Sequence, residues 1–137
     1  MVVKTRYAEI KGTYEELQGL DDALLIPGHK TIDEKVDYLV ERAEIIMGMF
    51  PDPIHLKLVL MPDIKAVAGQ YYRINKKGFN KPSFYQLSTD TIYISVPDVT
   101  AKILVHEIGH YLIDAFFTER MPPHLHEVLA RYCEANL

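Results

Sequence analysis

Residues 106–110 read His-Glu-Ile-Gly-His and sit inside an apolar run, Ile103-Leu104-Val105 before them and Tyr111-Leu112-Ile113 after. On a helix each residue turns the chain by ~100°, so His106 and His110 share one face, a turn apart. Two imidazoles at that spacing can ligate one Zn²⁺ and leave further positions open. Glu107 lies beside that face, where a carboxylate can take a proton from a water activated by the metal. The chemistry expected is therefore hydrolysis at a zinc ion. The apolar flanks make the helix a buried one, and a buried helix must satisfy two histidines and a carboxylate. A metal does so. Gly109 costs ~1 kcal/mol relative to alanine in a helix interior, so close packing or access is expected to retain it.

Two histidines do not make a durable zinc site, and a third protein ligand is expected. Cys133 is the only cysteine. The metzincin continuation fails, because its glycine and third histidine would fall on Ile113 and Phe116. The final segment remains, with His124, His126, Glu127 and Glu134 as candidates. Glu127, Arg131 and Glu134 share one helical face, whereas His126 stands ~100° away from it. A hydrolase also needs a donor to hold the oxyanion. Among Tyr111, His124, His126 and Tyr132, His124 is the expected donor, and Tyr132 reads as a core residue.

The elements that must position these groups are legible in outline. Val2–Ile10 reads as a strand. Thr13 and Glu16 form a capping box, and Leu20–Lys30, with Asp21-Asp22 and Pro27-Gly28, reads as a loop. Thr31 and Glu34 form a second capping box. After it Ile32, Val36, Leu39, Val40, Ala43, Ile46, Met47 and Phe50 recur with a helical period, Asp33, Lys35, Asp37, Glu41, Arg42 and Glu44 fill the other side, and Pro51 and Pro53 end the helix. His55–Met61 alternates as a strand up to Pro62. Val67–Ile74 and Phe84–Leu87 are further strand candidates around Asn75–Gly78, and Thr91–Ser95 is a strand of β-branched and aromatic residues. The motif helix follows Pro97 and Asp98. A break at Arg120–Pro123 precedes a final helix. The class is α+β, in a single domain spanning 1–137.

His106-Glu-Ile-Gly-His110 followed by Glu127-Val-Leu-Ala-Arg-Tyr132 resembles the gluzincin metallopeptidases, and most of all the minigluzincins, over roughly residues 55–134. The resemblance implies a zincin-like domain: a small mixed sheet with a backing helix, the motif helix, and a C-terminal helix carrying the third ligand. It implies His106, His110 and Glu127 as zinc ligands and Glu107 as general base and acid of a zinc metalloendopeptidase. It also places an acidic residue at Asp114, to orient a ligand histidine, and an extended peptide or protein substrate along an edge strand, Thr91–Ser95. The end Glu134-Ala-Asn136 is similar to metallopeptidases that cleave phage immunity repressors, a parallel that would make Glu134 the ligand. Two other readings are a zinc-stabilised regulatory module without useful turnover and a DNA-associated protease with a histidine as third ligand.

The formal charge of −4 leaves no basic footprint, so nucleic acid is not an expected partner. No run approaches membrane-spanning length, and the start shows no signal-peptide core. With a lone cysteine, the expected compartment is the cytoplasm.

Overall fold

The computed structural model describes all 137 residues and has a mixed α+β fold of five helices and a five-stranded sheet. The strands are β1 (Val2–Lys4), β2 (Ala8–Lys11), β3 (Leu56–Met61), β4 (Ser83–Gln86) and β5 (Thr91–Ser95). The helices are α1 (Tyr14–Ala23), α2 (Ile32–Met47), α3 (Ile64–Asn75), α4 (Ala101–Phe116) and α5 (Pro123–Ala135). The sheet order is β1-β2-β3-β5-β4. β2, β3 and β5 are parallel, and β1 and β4 close the two edges antiparallel.

The strand register decides which side chains meet. Leu58 pairs with Ile92 and Leu60 with Ile94, and all four are buried on one face. Against that face lie α1, α2, α4 and α5, joining Leu20, Leu24, Val36, Leu39, Val40, Leu104, Ile108, Leu112 and Cys133 into one core. α3 packs on the opposite face, where Tyr71, Phe79, Phe84 and Tyr93 form an aromatic cluster with ring centroids 4.2–5.6 Å apart. Along β4, Ser83 and Tyr85 therefore point towards α4, while Phe84 points to α3. No helix is long and apolar enough to cross a membrane.

Several sequence expectations are corrected. Val2–Ile10 is two strands: the Asp37 carboxylate accepts from Thr5 Oγ1 at 2.7 Å and from the Arg6 and Tyr7 amides at 3.0 and 3.2 Å, folding the chain back between β1 and β2. The loop expected from Leu20 begins after Ala23, because burial of Leu17 and Leu20 carries α1 onward. The capping box at Thr13 and Glu16 forms, whereas Thr31 makes no capping bond and Glu34 accepts from the Lys30 amide instead. α2 ends at Gly48, whose left-handed φ of 65° stops it before the prolines. Val67–Ile74 is helical. Asp63 caps α3 by accepting from the Ala66 amide at 2.7 Å, and the crossover joining parallel β3 and β5 calls for a helix. Glu44, expected on the solvent side of α2, is buried at 8% exposure. Thr91–Ser95 is not an edge strand; β4 is.

Candidate metal centre

The Thr100 side chain opens α4 by accepting from the Ile103 amide at 3.2 Å. Leu104, Val105, Ile108, Leu112 and Ile113 then bury the helix completely on its core side. His106 and His110 face α5, which begins with Pro123 at a position where the missing amide costs nothing. Gly109 sits at the crossing of the two helices. A Cβ there would stand 3.4 Å from Ala130 Cα and 3.5 Å from Cys133 Cβ, ordinary contact distances that leave room for a methyl group but little more, and at this separation of the helices Glu127 reaches both histidines.

His106, His110 and Glu127 each bring a ligand atom to within 4.8 Å of the others, a group that could hold a metal ion. Glu127 presents one oxygen to each ring: Oε1 lies 3.0 Å from His106 Nε2, and Oε2 lies 3.0 Å from His110 Nε2. The opposite ring nitrogens are already engaged. His106 Nδ1 lies 2.8 Å from Glu134 Oε1, and His110 Nδ1 lies 2.6 Å from His126 Nδ1, whose Nε2 is 2.9 Å from Asp114 Oδ1.

Counting protons along this chain tests whether the donor set fits a metal. A neutral imidazole carries a single N–H. His126 Nε2–H donates to Asp114, His110 Nδ1–H donates to His126, and His106 Nδ1–H donates to Glu134. Both Nε2 atoms are then left as lone pairs facing the two Glu127 oxygens. In that arrangement the three groups form an array of acceptors that could hold a cation at its centre, and two imidazoles with a carboxylate suit a divalent one. Burial and the neighbouring His126 and His106 push the His110 pKa down to about 4, which keeps that ring in the neutral form a metal needs. For Glu127 burial acts upward, but His106 and His110 together outweigh it and the carboxyl is held below its ordinary range.

Glu107 is buried at 7% exposure and accepts from Ser83 Oγ at 2.5 Å. Burial drives its pKa up, opposed by that hydrogen bond and by His106. It lines a cavity of about 290 Å³ with His106, His110, His126, Glu127, Tyr85 and Arg120. Lys81 and Arg120 bring positive charge to this cavity, and neither forms an ion pair.

Sequence reasoning and structure agree in bringing His106, Glu107, His110 and Glu127 together. They part elsewhere. His124 is exposed in the first turn of α5 and does not line the cavity, so the structure does not bring it to the site as an oxyanion donor. Tyr132 is 53% exposed rather than core, and the Tyr111 hydroxyl accepts from the His55 amide at 2.8 Å. Glu134 meets the outer nitrogen of His106, not the inner one. Asp114 contacts His126 and reaches His110 only through it. His126, off the helical face that Glu127 and Glu134 share, is 4% exposed and occupies the middle of this relay. Ser83 and Tyr85 carried no signal in the sequence, being brought in from β4 by sheet order. The Tyr85 hydroxyl and Asp114 Oδ2 are both buried without a partner. Burial first, and then the Asp114 charge, raise the tyrosine's pKa.

No protein-family model, curated protein or solved structure matches the chain.

Proposed function

We propose that this protein is a zinc-dependent metallopeptidase of the zincin type, with His106, His110 and Glu127 as ligands and Glu107 as general base and acid. The observation that carries the reading is the convergence of two imidazoles and a carboxylate on one point, opening onto a cavity that also holds a buried glutamate. A zinc ion there would supply Lewis acidity, polarising a scissile carbonyl and acidifying a water.

The chain's own residues do the rest. Glu107 receives the proton from the attacking water and delivers it to the leaving amine, and the upward push of burial on its pKa makes it a stronger base than an ordinary carboxylate. Ser83 holds the receiving carboxylate in position through its 2.5 Å bond. Glu134 fixes the His106 ring, and the Asp114–His126 pair fixes that of His110, keeping each Nε2 aimed inward. Lys81 and Arg120 offer positive charge to the developing oxyanion, the role expected of His124. An extended substrate adds to the sheet at β4, the strand nearest the site with a free edge, rather than at β5.

The test is zinc content by elemental analysis together with chelator-sensitive cleavage of a broad peptide library. One zinc per chain and cleavage abolished by Glu107→Gln support the reading. Zinc bound without cleavage by the wild type would replace it with a metal-stabilised regulatory module. Full zinc occupancy in both His106→Ala and His110→Ala would refute the site itself.

A further inference from the structure

A second cavity, of about 610 Å³, shares no lining residue with the first and falls in the size range of small-molecule sites. It is framed by Arg6 and Tyr7 before β2, by Glu41 and Glu44 on α2, and by Phe50 and Asp52 in the connection to β3. Glu44 is its unusual member. The residue is more than nine-tenths buried, on the face of α2 that otherwise supplies Val36, Val40 and Ala43 to the core. Its carboxylate makes no ion pair, and no hydrogen bond reaches it from any neighbour. Burial and the neighbouring Glu41 push its carboxyl pKa up, with Arg6 opposing them, and its oxygens stay open to the cavity, so a partner for them would come from there.

The surroundings say what would compensate it. Three carboxylates line the cavity, Glu41, Glu44 and Asp52, against one permanent cation, Arg6. Arg6 lies over the Tyr7 ring, 5.3 Å from its centroid, and pairs with no acid. The Tyr7 hydroxyl is turned to Glu41, donating at 3.2 Å. A metal ion is a poor match, because these carboxylates do not converge: the group that does bring three donor atoms together is His106, His110 and Glu127. Apolar walls flank the charge, with Phe50 60% and Ile45 58% exposed. A diffuse charge on an apolar body fits both features.

We propose that this pocket binds an organic cation, a guanidinium or alkylammonium group on an apolar stem, with the Glu44 carboxylate as its counter-ion. The head enters between Glu44 and Glu41 while the stem lies against Phe50 and Ile45. The proposal is independent of the metal centre and of the peptidase reading.

Calorimetric titration of the wild type and of Glu44→Gln with butylguanidine, neutral butylurea and the peptide acetyl-Gly-Arg-Gly-amide tests it. The expected result is saturable binding of at least one cation, with butylurea and the Glu44→Gln variant each weaker by roughly tenfold or more. A stronger response to the peptide assigns the site to a basic side chain, and a stronger response to butylguanidine to a free cation. His106→Ala should bind the cation as the wild type does, which separates this pocket from the metal centre. Melting temperature supplies a second readout: with no ligand present, Glu44→Gln should melt no lower than the wild type, because the buried carboxylate serves a ligand and not the fold. The proposal is overturned if neither cation saturates the protein below about 10 mM. Equal binding by butylurea, unchanged affinity in Glu44→Gln, or a lowered melting temperature in that variant would overturn it as well.

Discussion

Replacing Glu127 by alanine removes both oxygens that face His106 Nε2 and His110 Nε2, each at 3.0 Å. Its effect can be ranked against two other carboxylates at increasing remove from the metal position. Glu134 touches His106 only at Nδ1, at 2.8 Å, and Asp114 acts on His110 through His126. Structural zinc sites bind with roughly 10–16 kcal/mol spread over four ligands, so a lost ligand is worth about 3 kcal/mol, or ~10²–10³-fold in affinity. Losing an outer partner typically costs 10–100-fold. The expected order of zinc loss is therefore Glu127→Ala first, Glu134→Ala next, and Asp114→Ala at ~10-fold. Folding stability should rank differently. The Glu127 side chain is 38% exposed and its other partner, Arg131, is a surface residue, so metal-free Glu127→Ala should melt close to the wild type. The Asp114 side chain is only 5% exposed, and its loss leaves His126 Nε2 buried without an acceptor, a cost of about 1–3 kcal/mol. Zinc transfer to a colorimetric chelator measures the first order, and thermal melting of the metal-free proteins the second. Equal zinc loss from Glu134→Ala and Glu127→Ala would refute the assignment of Glu127 as the inner carboxylate.

Glu107→Gln should retain zinc while peptide cleavage falls ~10²–10⁴-fold, measured by metal analysis beside a peptide assay. The same variant has a stability signature in the metal-free protein. The fold raises the Glu107 pKa, so the stability this group contributes is present at acid pH and lost as pH rises through its folded pKa. The variant should then melt higher than the wild type at neutral pH, with the gain vanishing at acid pH. Ser83→Ala removes a bond that holds the Glu107 carboxyl down, so its pKa should rise further and the acid limb of the pH–rate profile should move to higher pH. An unmoved limb would deny Ser83 that role. At the helix crossing, Gly109→Leu cannot be accommodated against Ala130 and Cys133; it should destabilise by ~1–3 kcal/mol and weaken zinc binding by displacing α5. Gly109→Ala, whose single Cβ meets near-ordinary contact distances, should do neither.

The sequence by itself determined the parts of the site that depend on local geometry. Two histidines four residues apart on a helix must share a face, whatever the rest of the chain does, so His106 and His110 were legible together, with Glu107 beside them. The same holds for the body of α2, the strands β3 and β5, and the capping box at Thr13, all set by short-range periodicity or pairing. Only the tertiary structure decided which residues close the site. Periodicity put Glu127 and Glu134 on one helical face and could not separate them; the crossing of α4 and α5 over Gly109 sets Glu127 at the inner nitrogens and Glu134 at an outer one. His126 enters because that crossing turns it onto His110 Nδ1, and Ser83 because β4, not β5, takes the edge beside α4. The helix at Ile64–Asn75 and the burial of Glu44 escaped the pattern for the same reason. An alternation of residues says how a segment repeats, while the direction of neighbouring strands and the depth of a side chain are properties of the assembled core.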